Sequence, residues 1–127
     1  MINPFKIAAL ILILISTISS PTCAIEIEHD VNGDYLINSN EMALYFFVND
    51  KPYSGISNCY GSCEYEWPIV FESISSELSA TDFGTITRSD GRFQTTYRGR
   101  PLYWYRMDQK GKKEGEGKYG LWYVMKL

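Results

Sequence analysis

The chain is poor in the residues that most enzymes use for nucleophilic and phosphate chemistry. Its 127 residues contain one histidine, His29, and three cysteines. It has no Gly-x-Ser-x-Gly sequence, which positions the nucleophile of many hydrolases, and no glycine-rich phosphate-binding loop before a helix. Nucleophilic catalysis and nucleotide binding are therefore poorly supported.

The chain also lacks an apolar run long enough to cross a membrane. A lysine precedes an apolar stretch at residues 7–15, and Ser/Thr-rich residues 16–20 interrupt it, whereas a spanning helix needs about 20 apolar residues. A positive residue, a short apolar run and small residues, in that order, are typical of a secretory signal. We predict a signal peptide at 1–24, a single mature domain at 25–127, and a periplasmic or secreted location.

Lipid attachment at Cys23 is the alternative to soluble export. The preceding Ser-Pro-Thr at 20–22 is a poor form of the Leu-small-small pattern that a lipoprotein signal carries. The sequence therefore favours cleavage after Ala24 over an anchored cysteine.

Acidic and basic residues are distributed unevenly along the mature chain. Residues 25–87 hold eleven acidic residues and one lysine, a net charge of −10, and residues 88–127 hold ten basic and four acidic residues, a net charge of +6. The halves can neutralise each other by packing, or the basic half can attract an anionic envelope polymer or an acidic protein. The candidate residues for such a partner are Arg98, Arg100, Lys110, Lys112 and Lys113. No nucleic-acid partner is predicted.

An internal repeat is the strongest pattern in the chain. Leu-Tyr-Phe-Phe-Val-Asn-Asp at 44–50 returns 58 residues later as Leu-Tyr-Trp-Tyr-Arg-Met-Asp at 102–108, and a polar loop and a tryptophan follow each copy. Such repetition predicts two related halves, with copies near 35–68 and 92–124. The repeat-motif residues are Tyr45, Phe47, Asp50, Tyr103, Tyr105 and Asp108.

Strand and turn signals dominate the mature chain. We predict hairpins from 35–38 with 42–48 and from 85–88 with 92–97, the second around an Asp-Gly turn. Residues 44–48 are apolar on both faces, which indicates a central strand. Further elements are strands at 102–107 and 121–127, a solvated loop at 109–118 and a short helix at 58–67. The predicted fold class is a mainly β, small antiparallel domain built from two related halves, with one short helix near the cysteine pair.

Cys59 and Cys63 lie four residues apart. In an oxidising exported setting the simplest interpretation is a disulfide, because residues one helical turn apart lie within disulfide distance. Copper binding or thiol-redox chemistry is the alternative, since such a pair binds Cu(I) when another ligand is available. The only other soft or imidazole donors of the mature chain are His29, Met42, Met107 and Met125.

Two further sequence patterns suggest a calcium-binding site and a catalytic site. Residues 30–41 place oxygen ligands as in a calcium-binding EF-hand loop, although Tyr35 stands where that loop needs glycine.

Asp50 and Asp108 are equivalent carboxylates of the two copies, and such a pair can act as the acid and base of a glycoside hydrolase. An Asp just after a strand more commonly accepts hydrogen bonds from turn amides.

Taken together, the two aromatic motif copies, the Ser-Asn-Cys-Tyr-Gly-Ser-Cys sequence at 57–63, the Trp-Pro pair at 67–68 and the Tyr-Arg-Gly-Arg-Pro-Leu-Tyr sequence at 97–103 resemble the bacterial secreted-repeat lipoproteins with a Tyr-x-aromatic-x-x-Asp motif. The resemblance covers almost the whole mature chain. It implies a secreted or envelope protein of unestablished biochemical function. This chain departs from the relatives at Cys23, with its poor lipidation pattern, and at Ile69, where they often have a second proline.

The sequence therefore indicates an exported envelope module with a non-catalytic binding or structural role and without a cofactor or metal. The copper or thiol-redox accessory and the Asp50/Asp108 hydrolase are the alternatives.

We expect the exported protein to begin at Ile25, because the apolar run is short and Ala24 is a suitable residue for signal cleavage. Mass spectrometry of the exported form measures this directly. An N-terminal diacylglyceryl cysteine at position 23 would contradict soluble export.

Overall fold

The computed structural model describes residues 11–15 and 23–127, so the greater part of the predicted signal peptide lies outside the described residues. Within the described ranges, no helix has the length and apolar character that a membrane span requires.

The described chain folds mainly into short β-strands. The strands are β1 (Ala24–Glu28), β2 (Tyr35–Ile37), β3 (Leu44–Phe47), β4 (Ser73–Ile74), β5 (Phe83–Thr87), β6 (Phe93–Tyr97), β7 (Arg100–Pro101), β8 (Tyr103–Trp104) and β9 (Trp122–Val124). One α-helix, α1 (Ser62–Glu66), follows β3, and 3₁₀ turns occur at Ala80–Asp82 and Lys118–Gly120. The mainly β prediction with one short helix beside the cysteine pair is confirmed.

The strands form three three-stranded sheets. Their orders are β2-β1-β4, β8-β3-β9 and β5-β6-β7. All pairings are antiparallel except that of β1 with β4. β3 lies between β8 and β9, so the central strand expected from its two apolar faces is confirmed.

The two faces of β3 pack into two different hydrophobic clusters. Tyr45 and Phe47 enter an aromatic cluster that also holds both repeat tryptophans. Leu44 enters an aliphatic cluster, with Phe46 packed at its margin. Alternation along the strand explains this division, because successive side chains point to opposite faces.

The two predicted hairpins have different outcomes. β5 and β6 pair from Phe83 with Tyr97 to Thr87 with Phe93, as the Asp-Gly turn predicts. The first turn does connect β2 to β3 through an Ile37–Ala43 bridge, but the two strands belong to different sheets. β2 instead pairs with β1, a strand at the predicted cleavage point that the sequence pattern did not predict.

Several predicted elements are shorter in the structure. The helix occupies Ser62–Glu66 rather than 58–67, and the last strands occupy Tyr103–Trp104 and Trp122–Val124. The loop at 109–118 is mostly exposed as expected, except for buried Gly115. A β carbon at Gly115 would lie 2.6 Å from the Trp67 ring, so the loop approaches the core at a position that has room only for glycine.

The EF-hand interpretation of residues 30–41 is wrong for this fold. β2 runs through the middle of the segment, and β1 stands where the entering helix of an EF-hand would be. Asp30, the first candidate ligand, pairs with Lys113 at 2.5 Å. Burial of all three apolar residues of β2 and its pairing with β1 determine the backbone here, so the segment lacks the helix–loop–helix arrangement of an EF-hand.

The turn between β6 and β7 supplies a test of this packing. Gly99 has a φ of 77°, and a β carbon there would lie 2.5 Å from the Tyr53 ring. Gly91 has a φ of 88°, and a β carbon there would meet no residue beyond its chain neighbours within 4 Å. Gly99→Ala is expected to lower the free energy of unfolding by about 1–3 kcal/mol more than Gly91→Ala, because only the first substitution adds a steric overlap to the shared backbone strain. Urea unfolding of both variants measures the difference, and equal losses would contradict the close Gly99–Tyr53 contact.

Candidate functional site

The two motif copies meet in the central sheet. Tyr45 of β3 lies opposite Tyr103 of β8 in the antiparallel register. Both tyrosines are fully buried, and Asp50 and Asp108 are 0% and 8% exposed. The motif therefore brings two phenols and two carboxylates into the interior of the protein.

The tyrosines and aspartates pair across the copies rather than within them. The Tyr45 hydroxyl donates to Asp108 Oδ2 at 2.5 Å, and the Tyr103 hydroxyl donates to Asp50 Oδ2 at 2.5 Å. We call these two bonds the crossed pairs. Each half thus supplies the acceptor for the tyrosine of the other half.

The position of the aspartate, five residues after the tyrosine, follows from the local backbone. Each Asp lies in a turn just beyond the motif aromatics, where its backbone N–H donates to the carbonyl of Phe47 or Tyr105, at 3.0 and 3.1 Å. The second carboxylate oxygen accepts a backbone N–H from the following loop, from Asn58 for Asp50 and from Glu114 for Asp108, at 2.7 and 2.8 Å. Each carboxylate therefore fixes a loop as well as the opposite tyrosine.

Burial controls the protonation of these groups. It raises the pKa of Asp50 and of Asp108, and the hydrogen bonds from the tyrosines oppose that rise. Burial and the neighbouring carboxylate also raise the pKa of Tyr45 and of Tyr103. Both phenols therefore keep their protons at neutral pH and remain hydrogen-bond donors.

Four aromatic rings form a continuous stack beside the crossed pairs. Phe47 stacks on Trp122, Trp122 on Trp67, and Trp67 on Tyr105, with ring centroids 4.4, 4.0 and 4.4 Å apart. The motif aromatic of each copy thus lies on the tryptophan of the other copy. The two tryptophan planes differ by 2°, and large parallel contacts of this kind bury extensive apolar surface.

A buried arginine, which the sequence did not single out, extends the polar network of one half. Arg88 is 3% exposed. Its guanidinium donates to Ser57 Oγ, Gln94 Oε1, the Cys59 carbonyl and Glu64 Oε1 at 2.5–2.9 Å. The pairing with Glu64 compensates the buried charge. No local pattern in the sequence distinguishes this arginine from the exposed ones.

The two halves differ at the tyrosine hydroxyls. Ser57 lies 2.6 Å from the Tyr103 hydroxyl. Because Tyr103 gives its proton to Asp50, Ser57 is the donor to Tyr103. In the other half the backbone N–H of Gly115 donates to the Tyr45 hydroxyl at 3.2 Å. The Ser57 hydroxyl, which accepts a hydrogen bond from Arg88, thus takes at Tyr103 the place that the Gly115 backbone amide has at Tyr45.

Cys59 and Cys63 form the predicted disulfide, with α carbons 5.3 Å apart. The bond joins α1 to the loop that carries Ser57 and the Cys59 carbonyl. Cys59 is fully buried in the aromatic cluster. With both sulfurs in this bond, neither is a free thiolate for copper or redox chemistry in the oxidised protein.

The structure disperses the basic residues that the sequence grouped. Three of them form ion pairs with acidic residues of the first half, at 3.7, 3.3 and 2.5 Å. These pairs are Arg98–Asp82, Lys110–Glu41 and Lys113–Asp30. Arg100 lies over the ring of Phe46, and Lys112 has no ion pair within the described ranges. Much of the basic half is thus neutralised internally.

Comparison with known proteins identifies the repeat. A family model described as a secreted repeat of unknown function matches residues 28–71 and 84–126. The chain belongs to this secreted-repeat family. The two matched segments each contain one motif copy, so the resemblance drawn from the sequence is confirmed. The family description also supports export of the protein. No curated protein and no solved structure matches the chain.

The crossed pairs of this secreted repeat make a quantitative prediction. Tyr45→Phe or Tyr103→Phe is expected to lower the free energy of unfolding by about 1–3 kcal/mol, since each leaves a buried carboxylate oxygen without its donor. Truncation to alanine is expected to cost roughly 3–5 kcal/mol, as for other buried aromatics.

Urea unfolding with a double-mutant cycle tests the pairing. Tyr45→Phe should couple to Asp108→Asn and not to Asp50→Asn. Tyr65→Phe is the control, because Tyr65 is 70% exposed and its change should leave stability unaltered. Wild-type stability of the Tyr45 and Tyr103 variants, together with loss of a ligand, would instead mark the motif as a binding surface.

Proposed function

We propose that the protein is an exported, non-catalytic module of the bacterial envelope, in which the repeat motif has a structural role and the outer surface binds a partner. The proposed mature domain comprises residues 25–127, after a signal peptide at 1–24. The observation that carries this proposal is the pair of reciprocal hydrogen bonds by which Tyr45 meets Asp108 and Tyr103 meets Asp50.

The contacts of the two motif aspartates favour a structural role over hydrolysis. General acid and base catalysis requires carboxylates that reach a sugar bond from both sides. Here all four carboxylate oxygens of Asp50 and Asp108 accept hydrogen bonds from the protein itself. Their burial supports the same interpretation, since a substrate would have to displace the aromatic core to reach them.

The cysteine pair likewise supports a module rather than a redox accessory. The disulfide closes a loop of only a few residues, so the chain-entropy account gives it about 2 kcal/mol of stabilisation. The disulfide also holds the Cys59 carbonyl where Arg88 donates to it at 2.5 Å. A structural disulfide of this kind fits an oxidising compartment.

Thiol counting and metal analysis of protein purified from the periplasm test the proposal. Because the proposed mature chain has only Cys59 and Cys63, we expect no free thiol when it is denatured without reductant. We expect two thiols after reduction and no bound copper. Copper bound to a protein with free thiols would favour the accessory function.

The hydrolase alternative makes a different prediction for Asp50→Asn and Asp108→Asn. On our proposal both variants unfold more easily than Asp82→Asn, whose carboxylate lies at the surface in a 3.7 Å pair with Arg98. Loss of glycan cleavage at an unchanged unfolding midpoint would contradict a structural role for the motif.

A further inference from the structure

The cations of the basic half divide into two groups. Five of the ten pair with carboxylates of the first half, namely Arg88, Arg92, Arg98, Lys110 and Lys113. The other five, Arg100, Arg106, Lys112, Lys118 and Lys126, form no ion pair with any carboxylate in the part of the chain that the structure describes. Of these five, Arg100 and Arg106 are the two whose guanidinium groups lie on rings of the central sheet.

Both of these arginines lie on aromatic rings. The Arg100 guanidinium is 4.4 Å from the ring centroid of Phe46, and that of Arg106 is 5.9 Å from Trp104. Arg106 also lies 4.3 Å over exposed Tyr65. Arg106 Nε donates to the Tyr65 carbonyl, so its two terminal NH₂ groups are the donors that remain. Stacking uses the flat face of a guanidinium and leaves such donors at its edge, where a carboxylate can accept two bonds at once.

Phe46 and Trp104 share one face of the central sheet with Tyr123, whereas Tyr65, the ring nearest to Arg106, lies on α1. Phe46 and Tyr123 are direct cross-strand partners with centroids 6.0 Å apart. Trp104 lies opposite Leu44, which is two residues before Phe46 on the same face of β3. Trp104 and Phe46 are therefore diagonal neighbours, and such neighbours lie roughly 7–8 Å apart. Each of the three rings is half-buried. We call Phe46, Trp104, Tyr123, Arg100 and Arg106 the aromatic–arginine face.

A polar cavity adjoins this face at Trp104. Its volume is about 180 Å³, and its lining includes Asn38, Asn40 and Glu72 next to the Trp104 ring. Glu72 already accepts from Ser39, and Asn38 Oδ1 accepts the backbone N–H groups of Asn40 and Met42. The side-chain amide N–H groups of Asn38 and Asn40 are the donors that can match sugar hydroxyls. Partly exposed rings, two guanidinium groups without an ion pair and two side-chain amides occur together here.

From this combination we infer that the aromatic–arginine face binds an acidic polysaccharide. The apolar faces of sugar rings pack on Phe46 and Trp104, Arg100 and Arg106 bind the sugar carboxylates, and the cavity accepts hydroxyl groups. This inference rests on the proposed function and names the partner class of the module. It also places the site away from the 110–113 loop, whose Lys110 and Lys113 are already paired with Glu41 and Asp30.

Titration of the mature chain with polygalacturonate, a carboxylated polysaccharide, tests the inference. Binding is expected at low ionic strength, to weaken as salt screens the charges over about 8 Å at physiological ionic strength, and to be absent with neutral galactan. Trp67 and Trp122 are 1% and 2% exposed, so acrylamide quenching reports mainly on Trp104. Bound polysaccharide should therefore protect tryptophan emission from acrylamide.

Matched variants identify the site. Arg100→Gln with Arg106→Gln should weaken binding by at least about tenfold, because two charge-assisted contacts are lost. Lys110→Gln with Lys112→Gln removes the same charge outside the face and should change affinity by less than about threefold. Unfolding midpoints of both double variants establish that each is folded.

Three results would overturn the inference. They are absence of polygalacturonate binding at low salt, equal losses in the two double variants, and binding without protection of Trp104. Polyglutamate that bound as tightly, with the same protection, would show that the face recognises an acidic protein instead. None of these results alters the thiol and copper measurements, so the inference can fail while the non-catalytic module stands.

Discussion

The crossed hydrogen bonds between Tyr45 and Asp108 and between Tyr103 and Asp50 determine how the rest of the structure is arranged. Each phenol requires a carboxylate from the other half, so the two halves must lie with β3 and β8 antiparallel and the two tyrosines opposite each other. Each carboxylate then uses its second oxygen to fix the loop that follows it. The approach of those loops brings Trp67 and Trp122 together in the aromatic stack. Strand register, loop position and core packing thus follow from one pair of polar contacts.

Burying two carboxylates among aromatic rings is costly unless all their oxygens are hydrogen-bonded. The fold meets this requirement with short, directed bonds from phenols and backbone amides, and in one half with the Ser57–Arg88 extension. Aromatic side chains suit this role because a tyrosine combines a large apolar surface with one polar group at its end. Among the described residues, few buried polar side-chain atoms lack a hydrogen-bond partner. The indole N–H of Trp67 is one of them, and stacking on both faces holds that ring in place.

Much of this architecture was predictable from the sequence, and the rest was not, for physical reasons. The repeat, the two-faced strand around Tyr45, the Asp-Gly hairpin and the disulfide all follow from local spacing, which a single sequence displays. The crossed pairs do not follow from local spacing. Each Asp lies five residues after the Tyr of its own copy, and this spacing is the same whether the Asp contacts that Tyr or the Tyr of the other copy. β1 was missed although its Ile-Glu-Ile-Glu sequence alternates as in a strand and it pairs with nearby β2. β4 was missed because its parallel pairing with β1 joins distant residues. Burial of Arg88 and the assembly of Arg100, Arg106 and Trp104 on one face likewise depend on tertiary contacts that leave no local pattern.

The crossed pairs also determine how many repeats one chain can hold with every motif tyrosine hydrogen-bonded. One repeat by itself holds an unmatched phenol donor and an unmatched carboxylate acceptor, and the two tryptophans that stack come from different repeats. The unit of folding is therefore the pair of repeats, in the manner of a two-fold dimer whose subunits have been joined into one polypeptide. A family member with an even number of repeats can satisfy every tyrosine internally. One with an odd number would leave one half without the tyrosine and the aspartate that complement it.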